Sequence, residues 1–158
     1  MKVRSASRRI ALGLCAAVLS GCAGAHVRAV KRPVPPLAKA VVRTARTFLP
    51  EEEKNRPTPK DCSDFVRKTF AENGIKLPRT ALEMSKLGEP LASSKDIQMG
   101  DLVFFSGEKV SHTVGHVGIY VGNGIFIHMS KSAEGVRMDS MYNDYFRKRY
   151  LKARRIIP

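Results

Sequence analysis

The sequence predicts an α+β fold in which helices come first and an antiparallel sheet of about five strands follows. Two observations carry this prediction. An apolar stripe at helical spacing begins at Cys62, and short apolar runs of strand length fill the chain after Gly100. Helices and strands that segregate along the chain favour helices packed on an antiparallel sheet. A chain of 158 residues is long enough for one such domain with its own core.

Three helices are predicted before the sheet. The first covers 37–49 and ends at Pro50, and a short third helix covers 80–87. The second, over 62–73, has the clearest pattern, with Asp61 as its N-cap and Gly74 after its end. Its apolar side chains recur at i, i+3, i+4, i+7 and i+8, which predicts one buried stripe: Cys62, Phe65, Val66, Thr69 and Phe70.

The strands are predicted over 101–105, 116–121, 125–130, 136–141 and 151–157. The second and third form a hairpin around the sequence GNG at 122–124. A two-residue loop would place His128 opposite Ile119, whereas a three-residue loop would place it opposite Gly118, on the same face as His116. We expect the second register, with the Cys62 helix packed on the histidine face.

The first 21 residues are predicted to be an export signal. A basic start precedes an apolar run over 10–19 that is too short to span a bilayer. The sequence LSGC at 19–22 then resembles a bacterial lipobox, which implies cleavage before Cys22 and acylation of its thiol; the alternative is an ordinary cleaved signal with a chance cysteine. Ala23 after that cysteine favours an outer-membrane lipoprotein that faces the periplasm. Residues 22–36 would form a basic, proline-rich linker between this anchor and a domain over 37–158.

The charge limits the partners. The formal net charge is +14, and loss of the four basic residues of the signal leaves the chain strongly basic. For an exported chain the polyanions within reach are lipid headgroups and wall polymers, and nucleic acid is not expected. The densest basic run, at 147–155, is interpreted first as a solvated face.

Cysteine usage leaves one thiol to explain. Cys15 would leave with the signal and Cys22 would be acylated, so Cys62 would remain unpaired in an exported protein. It is either an inert buried residue or a nucleophile. A helix N-terminus and a neighbouring imidazole both lower a thiol pKa, and His116 and His128 supply two imidazoles on one face. We therefore expect a nucleophile, a base and an orienting group. A zinc site formed by the same three residues is the other chemical interpretation.

Four segments carry a resemblance to a known family: DCSDFV at 61–66, LPRTALEM at 77–84, MGDLVFF at 99–105 and GHVGIYVGNGIFIHMS at 115–130. Together they resemble the NlpC/P60 family of cell-wall cysteine peptidases. The resemblance implies a papain-like fold and hydrolysis of a stem-peptide amide in peptidoglycan, usually the D-γ-glutamyl–diaminopimelate bond. It implies no cofactor or metal. It also implies roles for six residues: Cys62 as nucleophile, His116 as base, His128 as orienting residue, and Asp61, Ser63 and Arg79 along the substrate groove.

Two positions depart from that family's pattern. Asp64 stands where the family usually has glycine, and the aromatic-Gly-Gly segment usually found before the cysteine is missing. The second departure leaves one oxyanion donor unassigned. Two other functions stay open: a wall-peptide-binding lipoprotein without catalysis, and a CHAP-type amidase that cuts between sugar and stem peptide. The exact bond and any activating partner also stay open.

Overall fold

The computed structural model describes residues 32–52, 56–132 and 135–158. These residues form α1 (Pro36–Arg46), α2 (Cys62–Ala71), α3 (Ala81–Met84) and α4 (Asp144–Arg147), with strands β1 (Glu89–Leu91), β2 (Leu102–Ser106), β3 (Val114–Gly122), β4 (Ile125–Ser130), β5 (Gly135–Ser140) and β6 (Tyr150–Arg155). The predicted signal, Cys22 and nearly all of the linker lie outside the described residues. Among the described helices, none has the length and apolarity needed to cross a bilayer.

The strands make one antiparallel sheet in the order β1-β6-β2-β3-β4-β5. The α+β prediction is confirmed, and each predicted helix and strand is present with bounds shifted by a few residues. The described residues hold six strands rather than about five. The extra strand, β1, has three residues and contains Pro90, so it carries no alternating pattern that a sequence could reveal. Helix α4, of four residues, was also not predicted.

Helix α2 begins at Cys62 because Asp61 caps it. One carboxylate oxygen of Asp61 accepts a hydrogen bond from the N–H of Asp64 at 2.8 Å. Phe65, Val66 and Phe70 on the predicted stripe are fully buried. Asp64 is buried as well.

The carboxylate of Asp64 is satisfied by its own helix and the loop before it. It accepts from the N–H of Lys60 at 3.0 Å and lies 3.0 Å from the guanidinium of Arg67 and 3.2 Å from the ammonium of Lys68. The Asp64 carboxylate therefore forms ordinary ion pairs at i,i+3 and i,i+4 spacing within its own helix.

The sheet is buried on both of its faces. The first apolar cluster joins α1, α2 and α3 to one face, and includes Phe104, Val117 and Ile127. The second apolar cluster covers the other face with Phe146 of α4, and includes Phe105. Strand β2 contributes alternate side chains to both clusters, so all five of its residues are buried.

The hairpin has the expected register, reached by a different turn. Ile119 pairs with Ile127, which places His128 opposite Gly118. Gly122 pairs directly with Ile125 across a two-residue turn in which Asn123 and Gly124 both have positive φ, as a type I′ turn requires. A bulge between Tyr120 and Gly122 then shifts the pairing by one residue.

The basic run near the C-terminus is mostly engaged within the domain. Arg155 forms a buried ion pair with Asp101, at 2.8 Å and 3.0 Å. Arg154 donates to the carbonyl of Ser85 at 2.8 Å. Further up the run, the guanidinium of Arg149 donates to a main-chain carbonyl and packs on an aromatic ring. This stretch is therefore a set of structural contacts.

Candidate active site

Cys62 occupies the first turn of α2 and is half-buried. The main-chain N–H groups of Val117, Ser63 and Cys62 itself lie near enough to its sulfur to lower the pKa of the thiol. Two of these donors belong to the helix start, and the third belongs to β3, at the residue after His116. The start of α2 therefore places the thiol close to β3, the strand that carries His116.

The position of the Val117 donor explains how the thiol reaches this strand. Tyr120 directs both its N–H and its C=O to the segment before β2, toward Asp101 and Gly100. Because main-chain groups alternate along a strand, those of Val117 point to the opposite side, toward β4. The pairing of β3 with β4 stops at Ile119. The N–H of Val117 therefore points toward the place where the two strands separate, and this N–H lowers the pKa of the thiol.

The expected packing of α2 on the histidine face was wrong. Phe65 and Val66 of α2 pack on the face that carries Val117, within the first apolar cluster. His116 and His128 lie on the other face, beside Phe146 of the second cluster. Cys62 packs against the same cluster as Val117, so the helix start approaches β3 from the Val117 face, whereas the prediction had the helix lying over the rings.

The two imidazoles are in direct contact, as the register prediction requires. Nε2 of His116 lies 2.9 Å from Nδ1 of His128, and the rings are nearly perpendicular, at 85°. This contact occupies Nε2 of His116 and leaves its Nδ1 as the nitrogen available to a thiol. Between the sulfur and either described imidazole, the structure contains no hydrogen bond. Such catalytic contacts are often long before substrate binds.

A carboxylate contacts the ring nitrogen of His128 that does not contact His116. Oδ2 of Asp139 lies 2.9 Å from Nε2 of His128. Arg137 binds both oxygens of Asp139, at 3.0 Å and 2.9 Å. Both residues belong to β5, where His128 pairs with Arg137 and Phe126 pairs with Asp139, so all four side chains share one face of the sheet.

Aromatic side chains shield the imidazole pair from water. Phe126 stacks on His128 with ring centroids 4.8 Å apart, and Phe146 lies 5.2 Å from the same ring. Burial lowers the pKa of His116 to about 3, with a smaller contribution from the neighbouring His128. Burial also lowers the pKa of His128, against the opposing effect of Asp139.

Burial acts on the thiol as well. It raises the pKa of Cys62 above its ordinary value, and the Asp61 carboxylate adds to this, while the N–H group of Val117 opposes it. The helix start had been expected to lower this pKa. Because the thiol pKa is raised and the His116 pKa is lowered, the pair rests as neutral thiol and neutral imidazole.

Asp61, Ser63 and Arg79 form one hydrogen-bonded group beside the thiol. Arg79 binds Asp61 at 2.5 Å and Ser63 Oγ at 2.7 Å, and Ser63 Oγ donates to Asp61 at 2.7 Å. The guanidinium of Arg79 holds the pKa of Asp61 well below its usual range. Half of the Arg79 side chain is exposed to solvent, so its charge faces the space in front of the helix start.

The structure separates the remaining candidates. His112 lies exposed in the loop before β3, and His26 and Cys22 lie outside the described residues. The described residues contain no group of three or more His, Cys, Asp or Glu side chains arranged to hold a metal ion. Asp139 and Arg137 were not predicted. Their one signal is that the weak strand pattern over 136–141 puts both charges on the same face.

The sequence profile of the NlpC/P60 family matches residues 53–155. Over 98 residues the chain is 44% identical to the murein DD-endopeptidase MepS/murein LD-carboxypeptidase of Escherichia coli K12, covering 61% of this chain and 50% of that protein. It is 44% identical over 91 residues to the peptidoglycan DL-endopeptidase CwlO of Bacillus licheniformis, covering 57% of this chain and 19% of that one. It thus spans half or less of the length of these relatives.

Solved structures agree with this assignment. An NlpC/P60 family protein from Bacillus cereus ATCC 10987 superposes with a TM-score of 0.67 and 27% identity, over 80% of this chain and 42% of that one. The fold is also that of the peptidoglycan hydrolase RipB from Mycobacterium tuberculosis, with a TM-score of 0.60 and 22% identity, over 79% of this chain and 69% of that one. With the family's profile covering most of the sequence, the chain belongs to the NlpC/P60 family.

Proposed function

We propose that this protein is a cysteine endopeptidase of peptidoglycan stem peptides, with Cys62 as nucleophile, His116 as general base and His128 as the residue that orients His116. The observation that carries the proposal is the 2.9 Å contact between the two imidazoles, in which His116 directly precedes Val117, whose N–H lowers the pKa of the Cys62 thiol. Nucleophile, base and orienting group in this order are the parts of thiol catalysis.

The reaction follows from the neutral resting pair. As Sγ attacks the carbonyl carbon of the scissile amide, its proton passes to Nδ1 of His116. The resulting imidazolium returns that proton to the leaving nitrogen, so the amine departs and a thioester remains on Cys62. Water, deprotonated by His116, then attacks the thioester and releases the acid and the free thiol. The main-chain N–H groups at the start of α2 support the oxyanion in both steps.

Substrate recognition is assigned to Asp61, Ser63 and Arg79. Their mutual hydrogen bonds fix the guanidinium beside the nucleophile, and its exposed side faces solvent. Stem peptides carry free carboxylates, which a fixed guanidinium binds well. We assign the D-γ-glutamyl–diaminopimelate amide as the bond that is cut.

Mass spectrometry of defined muropeptides tests the proposal and the bond together. Wild type should split a disaccharide tetrapeptide monomer into a disaccharide dipeptide and a free dipeptide. Cys62→Ser, handled in parallel, should leave it intact. If wild type only converts cross-linked dimers to monomers, the bond that it cuts is the cross-link between two stem peptides. Release of whole stem peptides from the sugar would favour an amidase, and binding without cleavage would favour a non-catalytic wall-binding protein.

We propose further that Cys22 is the acylated first residue of the mature chain, anchored in the outer membrane and facing the periplasm. The support is the LSGC sequence at 19–22 behind a basic and apolar leader. Intact-mass analysis of native material should show a chain that starts at Cys22 with added acyl mass. Replacing Cys22 by Ser should remove that mass, and an unmodified Cys22 in the wild type would contradict the proposal.

A further inference from the structure

We propose that Asp139 is a positioning residue, which sets the direction of a hydrogen-bond chain running through His128 and His116 toward the Cys62 thiol. The catalytic part of this inference rests on the proposed function. This hydrogen-bond chain consists of two contacts of 2.9 Å, one from Asp139 Oδ2 to His128 Nε2 and one from His128 Nδ1 to His116 Nε2. Each link joins two heteroatoms and can hold only one hydrogen.

The carboxylate fixes where those hydrogens lie. An ionised carboxylate accepts hydrogen bonds and donates none, so the first hydrogen belongs to Nε2 of His128. A neutral imidazole carries a single N–H, so Nδ1 of His128 is an acceptor. The second hydrogen therefore belongs to Nε2 of His116. Nδ1 of His116 is left with a lone pair, which is the state that a base needs to take a thiol proton.

Two features of the structure support this assignment. Burial by Phe126 and Phe146 lowers the pKa of both rings, so each stays neutral and holds one N–H. Arg137 donates to both oxygens of Asp139, which holds the carboxylate in place and supplies the positive partner that an anion requires. The guanidinium of Arg137 is half-exposed, so it meets the carboxylate from the solvent side.

The same hydrogen-bond chain assists the reaction. When the proton of Cys62 reaches Nδ1 of His116, the new imidazolium still donates through Nε2 to His128. His128 still donates through Nε2 to Asp139, so a negative charge faces the positive one across a single ring. No proton has to reach Asp139 for this stabilisation.

Without the Asp139 carboxylate, the donor and acceptor of the hydrogen bond between His128 and His116 can exchange roles. Nδ1–H of His128 can then donate to Nε2 of His116, which puts the only hydrogen of His116 on Nδ1, the nitrogen that serves as the base in the proposed reaction. A ring in that state cannot act as the base. Loss of Asp139 should therefore lower kcat while leaving the Asp61–Ser63–Arg79 group, and hence KM, nearly unchanged.

The test combines ¹⁵N NMR of labelled histidines with kinetics on the full chain. Asp139→Ala removes the acceptor. The control, Asp144→Ala, removes an exposed carboxylate that pairs with Arg147 at 2.8 Å. Wild type and control should show His116 and His128 protonated at Nε2, and Asp139→Ala should show mixed tautomers at both. With stem-peptide substrate, kcat of Asp139→Ala should fall about 10- to 100-fold, the loss seen when a metal-binding histidine loses the carboxylate that orients it.

Unchanged tautomers in Asp139→Ala, or wild-type rings protonated at Nδ1, would overturn the inference. Unchanged kcat in a variant with altered tautomers would overturn its catalytic part. If wild type has no turnover but its tautomers depend on Asp139, the proposed function fails and the hydrogen-bond chain stands. Asp139→Asn keeps the shape and lacks the carboxylate, so it replaces the alanine variant if that one does not fold, with the tautomers expected to shift in the same direction.

Discussion

For Cys62 and His116, burial outweighs the position at the helix start. The sequence places the thiol at a helix N-terminus, which by itself favours thiolate. In the structure the thiol is half-buried, its pKa is raised, and the pKa of His116 is lowered to about 3. The free protein therefore holds a neutral pair, and in the proposed mechanism His116 takes the thiol proton only as the sulfur attacks. A sequence can predict the helix start but not the amount of water around it.

The low pKa of His116 makes the fold acid-sensitive. In the unfolded chain the ring takes up a proton near pH 6.5, whereas in the folded chain it stays neutral down to about pH 3. The unfolded state thus binds more protons in this window, and stability is lost as the pH falls through it. Between pH 7 and about pH 5, His116→Gln should lose less unfolding free energy than wild type, by up to about 2 kcal/mol.

Urea unfolding of both proteins at the two pH values measures this difference. The window lies above the range in which Asp61 and Asp64 titrate, so their lowered pKa values do not contribute. His112→Gln is the matched control, since that side chain is exposed, and it should follow wild type. Parallel pH dependence in wild type and His116→Gln would show that the ring is not held neutral.

Sequence reasoning found the histidines but missed the carboxylate behind them. Cys62, His116 and His128 lie in strongly patterned segments with family motifs, and the structure brings the two rings together as predicted. Asp139 and Arg137 lie in a weakly patterned strand. Their relation to His128 depends on the register of β4 against β5, which no turn signal in the sequence fixes.

At the scale of elements, the β3–β4 hairpin positions the imidazole pair. The sequence predicted its register because a shift of one residue in the β3–β4 pairing would put His116 and His128 on opposite faces of the sheet. It did not predict the bulge near Val121, because a two-residue turn with a bulge and a three-residue loop give the same parity. The end of the β3–β4 pairing at Ile119 was also unforeseen, since no turn or alternation signal within the hairpin marks it.

Gly118 is a close-packed position in this hairpin, beside the imidazole pair. A Cβ built there would lie 2.5 Å from the ring of Phe126 and 3.0 Å from the carbonyl oxygen of Ile127. Gly118→Ala should therefore displace the ring that stacks on His128. We expect a loss of about 1–3 kcal/mol of unfolding free energy and a loss of activity on the order of 10- to 100-fold.

Gly107→Ala provides the comparison for this variant. A Cβ at Gly107 has its nearest neighbour at 3.9 Å, which is ordinary contact, so stability and activity should stay close to wild type. Thermal unfolding and muropeptide turnover of the two variants measure the effect. If Gly118→Ala keeps full activity, the packing of Phe126 on His128 is not what holds the ring.

At the scale of the whole domain, a buried ion pair joins the residue before β2 to the last residue of β6. Asp101 precedes β2 and Arg155 ends β6, and both side chains are less than a tenth exposed. Removal of one partner leaves a buried charge unpaired, so Asp101→Ala should cost about 3–5 kcal/mol of unfolding free energy. Glu89→Ala breaks the surface pair with Arg32, where both side chains are largely exposed, and should cost less than about 1 kcal/mol.

Chemical denaturation of both variants decides between these values. Equal, small losses would mean that the Asp101–Arg155 pair adds little beyond a surface contact. No local pattern in the sequence indicates this pair, because its partners are 54 positions apart. The helices and central strands were predictable from local periodicity, whereas the short β1, α4 and long-range pairs depend on tertiary contacts.

The central claim is that the thiol of Cys62 cuts peptidoglycan. The most direct measurement is release of stem-peptide fragments from purified sacculi by wild type and Cys62→Ser, side by side. The serine keeps the shape and the first turn of α2 but is a far weaker nucleophile. We expect release by wild type and none by Cys62→Ser, with unchanged thermal unfolding of the variant. Equal release by both proteins, or none by wild type on sacculi of several stem chemistries, would contradict the account.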